Sequence, residues 1–261
     1  MRQRYYRLQS QAARQSPRFG WFGLVFLVAG VISHRFGWIE TFDLFMFALL
    51  SAVLALIALT LAIKGFAALW QYGHKGGVAA FKGGSLAVIT LVPLTFSAVA
   101  WAVFPPLNEV STDLETPPAF LSGVRPADAL PVSDNLVAQA EKQLAAWPQL
   151  GSRRYDGSPD NILKAVLLVI KAENWTVAGQ KGETGEDTEL LVQAVARTLI
   201  MGFVSDVVIR LADEGDTTFV DIRAASRYLR RDFGTDARLA MKFMDALDAE
   251  VLLTPADRTE E

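Results

Sequence analysis

The sequence predicts an α+β protein: three N-terminal transmembrane helices followed by an antiparallel four-stranded sheet with helices packed on one face. Three observations carry this expectation. Residues before Phe104 form long apolar runs, whereas those after it have the mixed composition of a globular domain. Four stretches beyond Trp175 have strand length and strand-like patterning, separated by turn residues. Three other stretches carry apolar residues at the 3–4 spacing of a helix. The expected division is a membrane domain over 1–104, an extended proline-containing linker over 105–129, an α+β domain over 130–254 and a tail over 255–261.

A spanning helix needs roughly 20 apolar residues to cross about 30 Å of hydrocarbon. The three spans are expected near 19–39, 42–63 and 83–104. Leu44 to Ile63 carries no charge, and Gly83 to Phe104 places Trp101 as an interfacial anchor. The first span is interrupted by Ser33-His34-Arg35 before Phe36-Gly37-Trp38-Ile39. No small-x-small cleavage site follows it and two further spans do, so it reads as a retained helix rather than a signal peptide. Arg2, Arg4, Arg7, Arg14 and Arg18 precede it, and Lys64, Lys75 and Lys82 stand between the second and third spans. Glu109, Asp113 and Glu115 follow the third. The positive-inside rule then expects a multi-pass protein of a bacterial inner membrane with a cytoplasmic N-terminus and a periplasmic C-terminal domain.

His34 and Arg35 lie at a span end near Glu40 and Asp43. Snorkelling or a local ion pair explains such residues, and a conduction path or partner site is the other reading. The glycine-rich loop around Gly73, Gly76 and Gly77 lacks the ending of a phosphate-binding loop and reads as a tight interhelical turn.

In the second domain, a helix is expected from Ser133 to Ala146, with Leu136, Val137, Ala140 and Leu144 on its apolar face. A second starts at Ser158-Pro159 and buries Ile162, Val166, Val169 and Ile170. A third starts near Thr235 and uses Ala240, Met241, Met244 and Leu247. The strands are Trp175–Gly179, Thr188–Arg197, Val204–Leu211 and Thr217–Arg223, joined by turns at Gly182–Asp187 and Asp213–Asp216. Parity puts Val207, Ile209, Leu211, Val220 and Ile222 toward the helices, and Asp206, Arg210, Phe219, Asp221 and Arg223 on the opposite face, joined there by Glu189, Gln193 and Arg197. A two-residue turn would set Arg210 opposite Asp221; a four-residue turn would set Asp206 opposite Arg223.

The candidate binding residues are therefore Asp206, Arg210, Asp221, Arg223, Ser226, Arg227, Arg230 and Arg231. They form a charged sheet face continued by a basic loop just before a helix start, an arrangement that suits an anion, although Asp232 and Asp236 offset part of that charge. A solvated charge ladder and a protein-contact face are the other readings. Catalysis is not expected. The chain has no cysteine, and its two histidines, His34 and His74, lie in the membrane part, so Ser226 has no histidine base in its domain. No metal site or cofactor is expected, and a net charge of −3 argues against nucleic acid.

Two stretches resemble a bacterial family known as domain of unknown function 1499. One is Leu107-Asn108-Glu109-Val110-Ser111-Thr112-Asp113 with Pro117-Pro118-Ala119-Phe120. The other runs from Gly202-Phe203 through Asp206–Arg210, Val220–Arg223 and Ala225-Ser226-Arg227 to Asp232-Phe233-Gly234. The likeness covers roughly Asn108 to Leu247, and the three-span front end is similar to that of longer members. The chain departs from the family pattern at Ser205-Asp206, where paired acids are usual, at Ala224 and Leu229, where serine and glycine are usual, and at Asp236, where asparagine is usual. The resemblance implies a membrane setting and a structural role for Asp113, Pro117 and Pro118 in joining domain to membrane. The expected partners are the lipid bilayer and a membrane protein or second copy, in a non-enzymatic accessory or scaffolding role. The alternative is a binding or catalytic module for an anionic envelope lipid or glycan fragment.

Overall fold

Three long helices come first in the computed structural model, which describes residues 8–182 and 189–253. They are α1 (Gln11–Arg35), α2 (Thr41–Tyr72) and α3 (Gly77–Val103), and each is long and apolar enough to cross a membrane. Ser10 starts α1 by accepting the Ala13 N–H at 3.3 Å. The helix stops at Arg35 rather than at Ile39, because the chain turns through Gly37 at φ 73°. A reciprocal cap between Glu40 and Asp43 starts α2, which continues past Ile63 to a left-handed cap at Gly73. At 32 residues it measures about 48 Å, well beyond the hydrocarbon thickness.

What these helices bury against one another is small. Ala13, Ser16, Gly20, Gly23, Leu27 and Gly30 line the inner stripe of α1, and Ser51, Ala55, Ala58, Ala62 and Gly65 line that of α2. Small residues at this spacing let backbones approach and gain dispersion contacts where lipid gives no hydrophobic drive. A Cβ at Gly30 would lie 2.6 Å from Phe47 Cβ. The Ser16 hydroxyl donates to the Ala58 carbonyl at 2.8 Å, tying α1 to α2.

The chain divides into two units, Met1–Val99 with Ile200–Gly202, and Ala100–Leu199 with Phe203–Glu261. Among the described residues, the second unit is built on an antiparallel sheet of six strands rather than four: β1 (Glu109–Ser111), β2 (Arg153–Asp156), β3 (Thr176–Lys181), β4 (Glu189–Arg197), β5 (Val204–Asp213) and β6 (Thr217–Ser226). The order is β1-β6-β5-β4-β3, and β2 shares the outer edge of β6 with β1. The two extra strands are three and four residues long, too short to show alternation, and β1 falls inside the expected linker. The expected Gly182–Asp187 turn lies mostly outside the described residues, as does Thr188.

One face of the sheet packs on α5 (Pro159–Ala172) and α6 (Thr235–Leu253). Ile162, Val166, Val169 and Ile170 meet Ala240, Phe243, Met244 and Leu247 over Val207, Ile209, Leu211, Val220 and Ile222, all buried as parity requires. Ser158 occupies the N-cap of α5 without a side-chain cap bond. The first expected helix differs most: it begins with a 3-10 turn at Val137–Gln139 and becomes α4 only over Ala140–Ala146. Leu136 is buried as expected, but Val137 and Leu144 are exposed, and the residue of α4 turned fully inward is Gln143. Its amide donates to the Ser111 carbonyl at 2.7 Å and accepts the Ser111 N–H at 3.2 Å, so a side chain closes the free edge of β1.

Candidate functional site

The face of the sheet away from the helices carries the charged residues. The β5–β6 connection is a two-residue turn at Gly215-Asp216, so Arg210 stands opposite Asp221, while Asp206 faces Ala225 and Arg223 faces Val208. This face is covered. Residues 112–133, an irregular segment we call the strap, cross it. Gln193 Oε1 accepts the Leu121 N–H at 2.8 Å, and the Arg227 carbonyl accepts the Leu130 N–H at 2.8 Å. The Phe120 ring lies under two guanidiniums, 5.0 Å from that of Arg223 and 4.8 Å from that of Arg125.

Beneath and beside the strap, three ion-pair groups account for the charged residues. Asp206 is fully buried; both its oxygens accept from Arg227, at 2.6 and 2.9 Å, and one also accepts from Arg125 Nε at 3.1 Å. Glu109 of β1 holds Arg223 at 2.6 Å with both side chains 3% exposed, and Arg223 also donates to the carbonyls of Pro118 and Ser133. Arg210 donates to Asp221 at 2.5 and 3.1 Å, to Asp113 at 2.8 Å and to the Thr116 carbonyl at 3.0 Å. Asp221 further accepts from Thr112 and Ser152. Four arginines (125, 210, 223 and 227) therefore meet four carboxylates (109, 113, 206 and 221). Formal charge cancels within the cluster, and such pairs hold geometry more than they add stability.

The protonation states follow these contacts. Burial lowers the tendency of Arg210 to hold its proton, but Asp221 and Asp113 outweigh it, so its pKa is raised. Burial also works against an ionised Asp113, yet Thr116 and Arg210 hold its pKa below the usual value. Asp206 raises the pKa of Arg227.

The other candidate residues do not join this cluster. Ser226 projects to the helix face, opposite Ser205. Arg230 is exposed. Arg231 donates to the Phe104 carbonyl at 2.5 Å and lies 4.6 Å from the Trp101 ring centroid. The start of α6 is already occupied by a carboxyl group of its own: Asp232 accepts the N–H groups of Gly234 and Asp236 at 3.0 and 2.7 Å. Asp236 is also fully buried and accepts from the Ser205 hydroxyl at 2.5 Å. Burial, and then the neighbouring Asp232, push its pKa up to about 8. Burial raises that of Asp232 as well.

In the helical unit, His34 Nδ1 lies 2.6 Å from the Met201 carbonyl and Nε2 lies 3.1 Å from the Thr41 hydroxyl. A carbonyl only accepts, so Nδ1 carries a proton. Arg35 is the last residue of α1, beside Gly202. Sequence reasoning missed Arg125, Phe120, Thr112 and Ser152 as partners of the charged face. They lie in coil, where no periodicity marks them. A cleft of about 340 Å³ lies elsewhere, lined by Arg154, Tyr155, Asn161, Ile162, Val251 and Leu252 among others.

A family model described as "Protein of unknown function (DUF1499)" matches residues 109–247. Among solved structures, the crystal structure of TTHA0849 from Thermus thermophilus is 15% identical over 41% of this chain and 97% of that one, with a TM-score of 0.20, too low to inform fold or function. No curated protein matches the chain.

Proposed function

The chain belongs to the DUF1499 family, and from that premise we propose that it is a non-enzymatic accessory or scaffolding protein of the bacterial inner membrane whose periplasmic domain contacts another protein. The observation that carries this reading is the covered, charge-balanced face. Its arginines are spent on internal carboxylates and on the strap, which makes the face a joint within the domain. Three helices suited to a bilayer support membrane association. The excess of arginine and lysine before α1 and between α2 and α3 supports the orientation. The alternative, a module for an anionic lipid or glycan fragment, draws on the same arginines and would have to displace the acids that hold them.

The test is a membrane-impermeant, amine-reactive crosslinker added to intact spheroplasts. Lys142, Lys164 and Lys171 offer amines on the second unit. The expected outcome is a crosslink through these lysines to a second membrane or periplasmic protein without permeabilisation. Crosslinks only between copies of this chain would contradict the partner, and labelling only after permeabilisation would contradict the orientation.

A further inference from the structure

The two turns at the ends of β5 are chemically opposite. The β5–β6 turn is Asp213-Glu214-Gly215-Asp216, typical of a solvated hairpin. The β4–β5 connection is Thr198-Leu199-Ile200-Met201-Gly202-Phe203, in which Leu199 is 84% and Ile200 69% exposed. Two adjacent large aliphatic side chains at a hairpin tip mark a contact surface rather than a water-facing turn.

The fold indicates what this surface meets. Ile200–Gly202 groups with the three-helix unit. The Met201 carbonyl lies 2.6 Å from the His34 ring in the last turn of α1, and a Cβ on Gly202, at φ 75°, would come within 2.9 Å of Arg35 Cα. Glycine at 202 therefore permits both the left-handed turn and the close approach. Met201 and Gly202 are thus held at the last turn of α1. At that end Phe36, Trp38 and Phe42 are also exposed, as aromatic residues are where a span leaves the hydrocarbon.

We infer that the β4–β5 hairpin tip is an interfacial membrane anchor, with Leu199 and Ile200 inserting into the leaflet at the His34–Arg35 end of α1. The occupant of this apolar surface is the lipid bilayer, because the exposed pair directly precedes Met201, whose carbonyl meets His34 at the end of a helix long and apolar enough to cross a membrane. Arg197, exposed just before it, suits anionic headgroups.

The absence of cysteine makes the test clean. Single variants Leu199→Cys, Ile200→Cys, Gly215→Cys and Leu56→Cys of the full chain are labelled with an environment-sensitive fluorophore. They are reconstituted into phosphatidylethanolamine–phosphatidylglycerol vesicles carrying 5-doxyl lipid. Leu56 lies on α2 and reports the bilayer itself; Gly215 lies at the far end of the ten-residue β5, about 33 Å away. Labels at 199, 200 and 56 are expected to be quenched at least threefold more by doxyl lipid than the label at 215. Quenching at 56, with iodide rather than doxyl lipid quenching 199 and 200, would overturn the anchor while leaving membrane association intact. Doxyl quenching at none of the four positions would overturn both.

Discussion

Asp236 shows how a single residue can set a condition on stability. Its carboxyl is fully buried beside that of Asp232, and its Oδ2 has no partner among the described residues. With a folded pKa near 8 against an ordinary value of 3.8, the folded protein holds a proton that the unfolded chain releases. The stability linked to that proton is complete below about pH 4 and is lost as pH rises through about 8. Asp236→Asn keeps an oxygen for the Ser205 hydroxyl and removes the titration. Its thermal midpoint should exceed that of the parent by about 3–8 °C at pH 9, on the order of 1–2 kcal/mol, and converge with it near pH 4. Melting curves across this range check it, and parallel pH profiles would count against a buried proton. An amide in this position removes the need for that proton.

At the scale of elements, the strap is what the sheet's charged residues serve. Arg223 and Glu109 bring β6, β1 and the strap carbonyls of Pro118 and Ser133 together in a site closed to water. Arg223→Met alone should destabilise by roughly 3–5 kcal/mol, because it strands a buried carboxylate. Adding Glu109→Met should recover much of that loss, as an apolar pair no longer carries an unpaired charge. Denaturant unfolding of the full chain in detergent measures both, and additive losses would deny the pairing. Part of this element was legible in advance. Strict alternation through Val207, Ile209 and Leu211 and through Val220 and Ile222 fixed both faces of β5 and β6, because side-chain direction in a strand follows parity. The strap was not legible. It has no period, and its order comes from proline, turns and contacts with residues about 80 to 110 positions away, such as Asp206 for Arg125 and Asp221 for Thr112. Gln143 was not legible for the same reason: its burial depends on the edge of β1, a partner far along the chain.

For the whole molecule, the helical unit and the sheet unit solve different packing problems. In the first, long helices pack through alanine, glycine and serine. The alternating small residues were present in the sequence, but hydropathy alone reads them as part of an apolar run. In the second, aliphatic packing of α5 and α6 covers one face of the sheet, and an ion-paired segment covers the other. A sheet closed on both faces favours a joint over an open receptor, and on this the account stands or falls. Hydrogen exchange of the full chain in nanodiscs, followed at the Leu121 and Leu130 amides, tests it most directly. Both amides are bonded across the strap. They should exchange nearly as slowly as the β5 and β6 ladder, and Arg223→Ala should accelerate them roughly tenfold or more. Fast exchange at both positions in the parent protein, with the ladder still protected, would mean that the strap lifts freely and that the charged face is open after all.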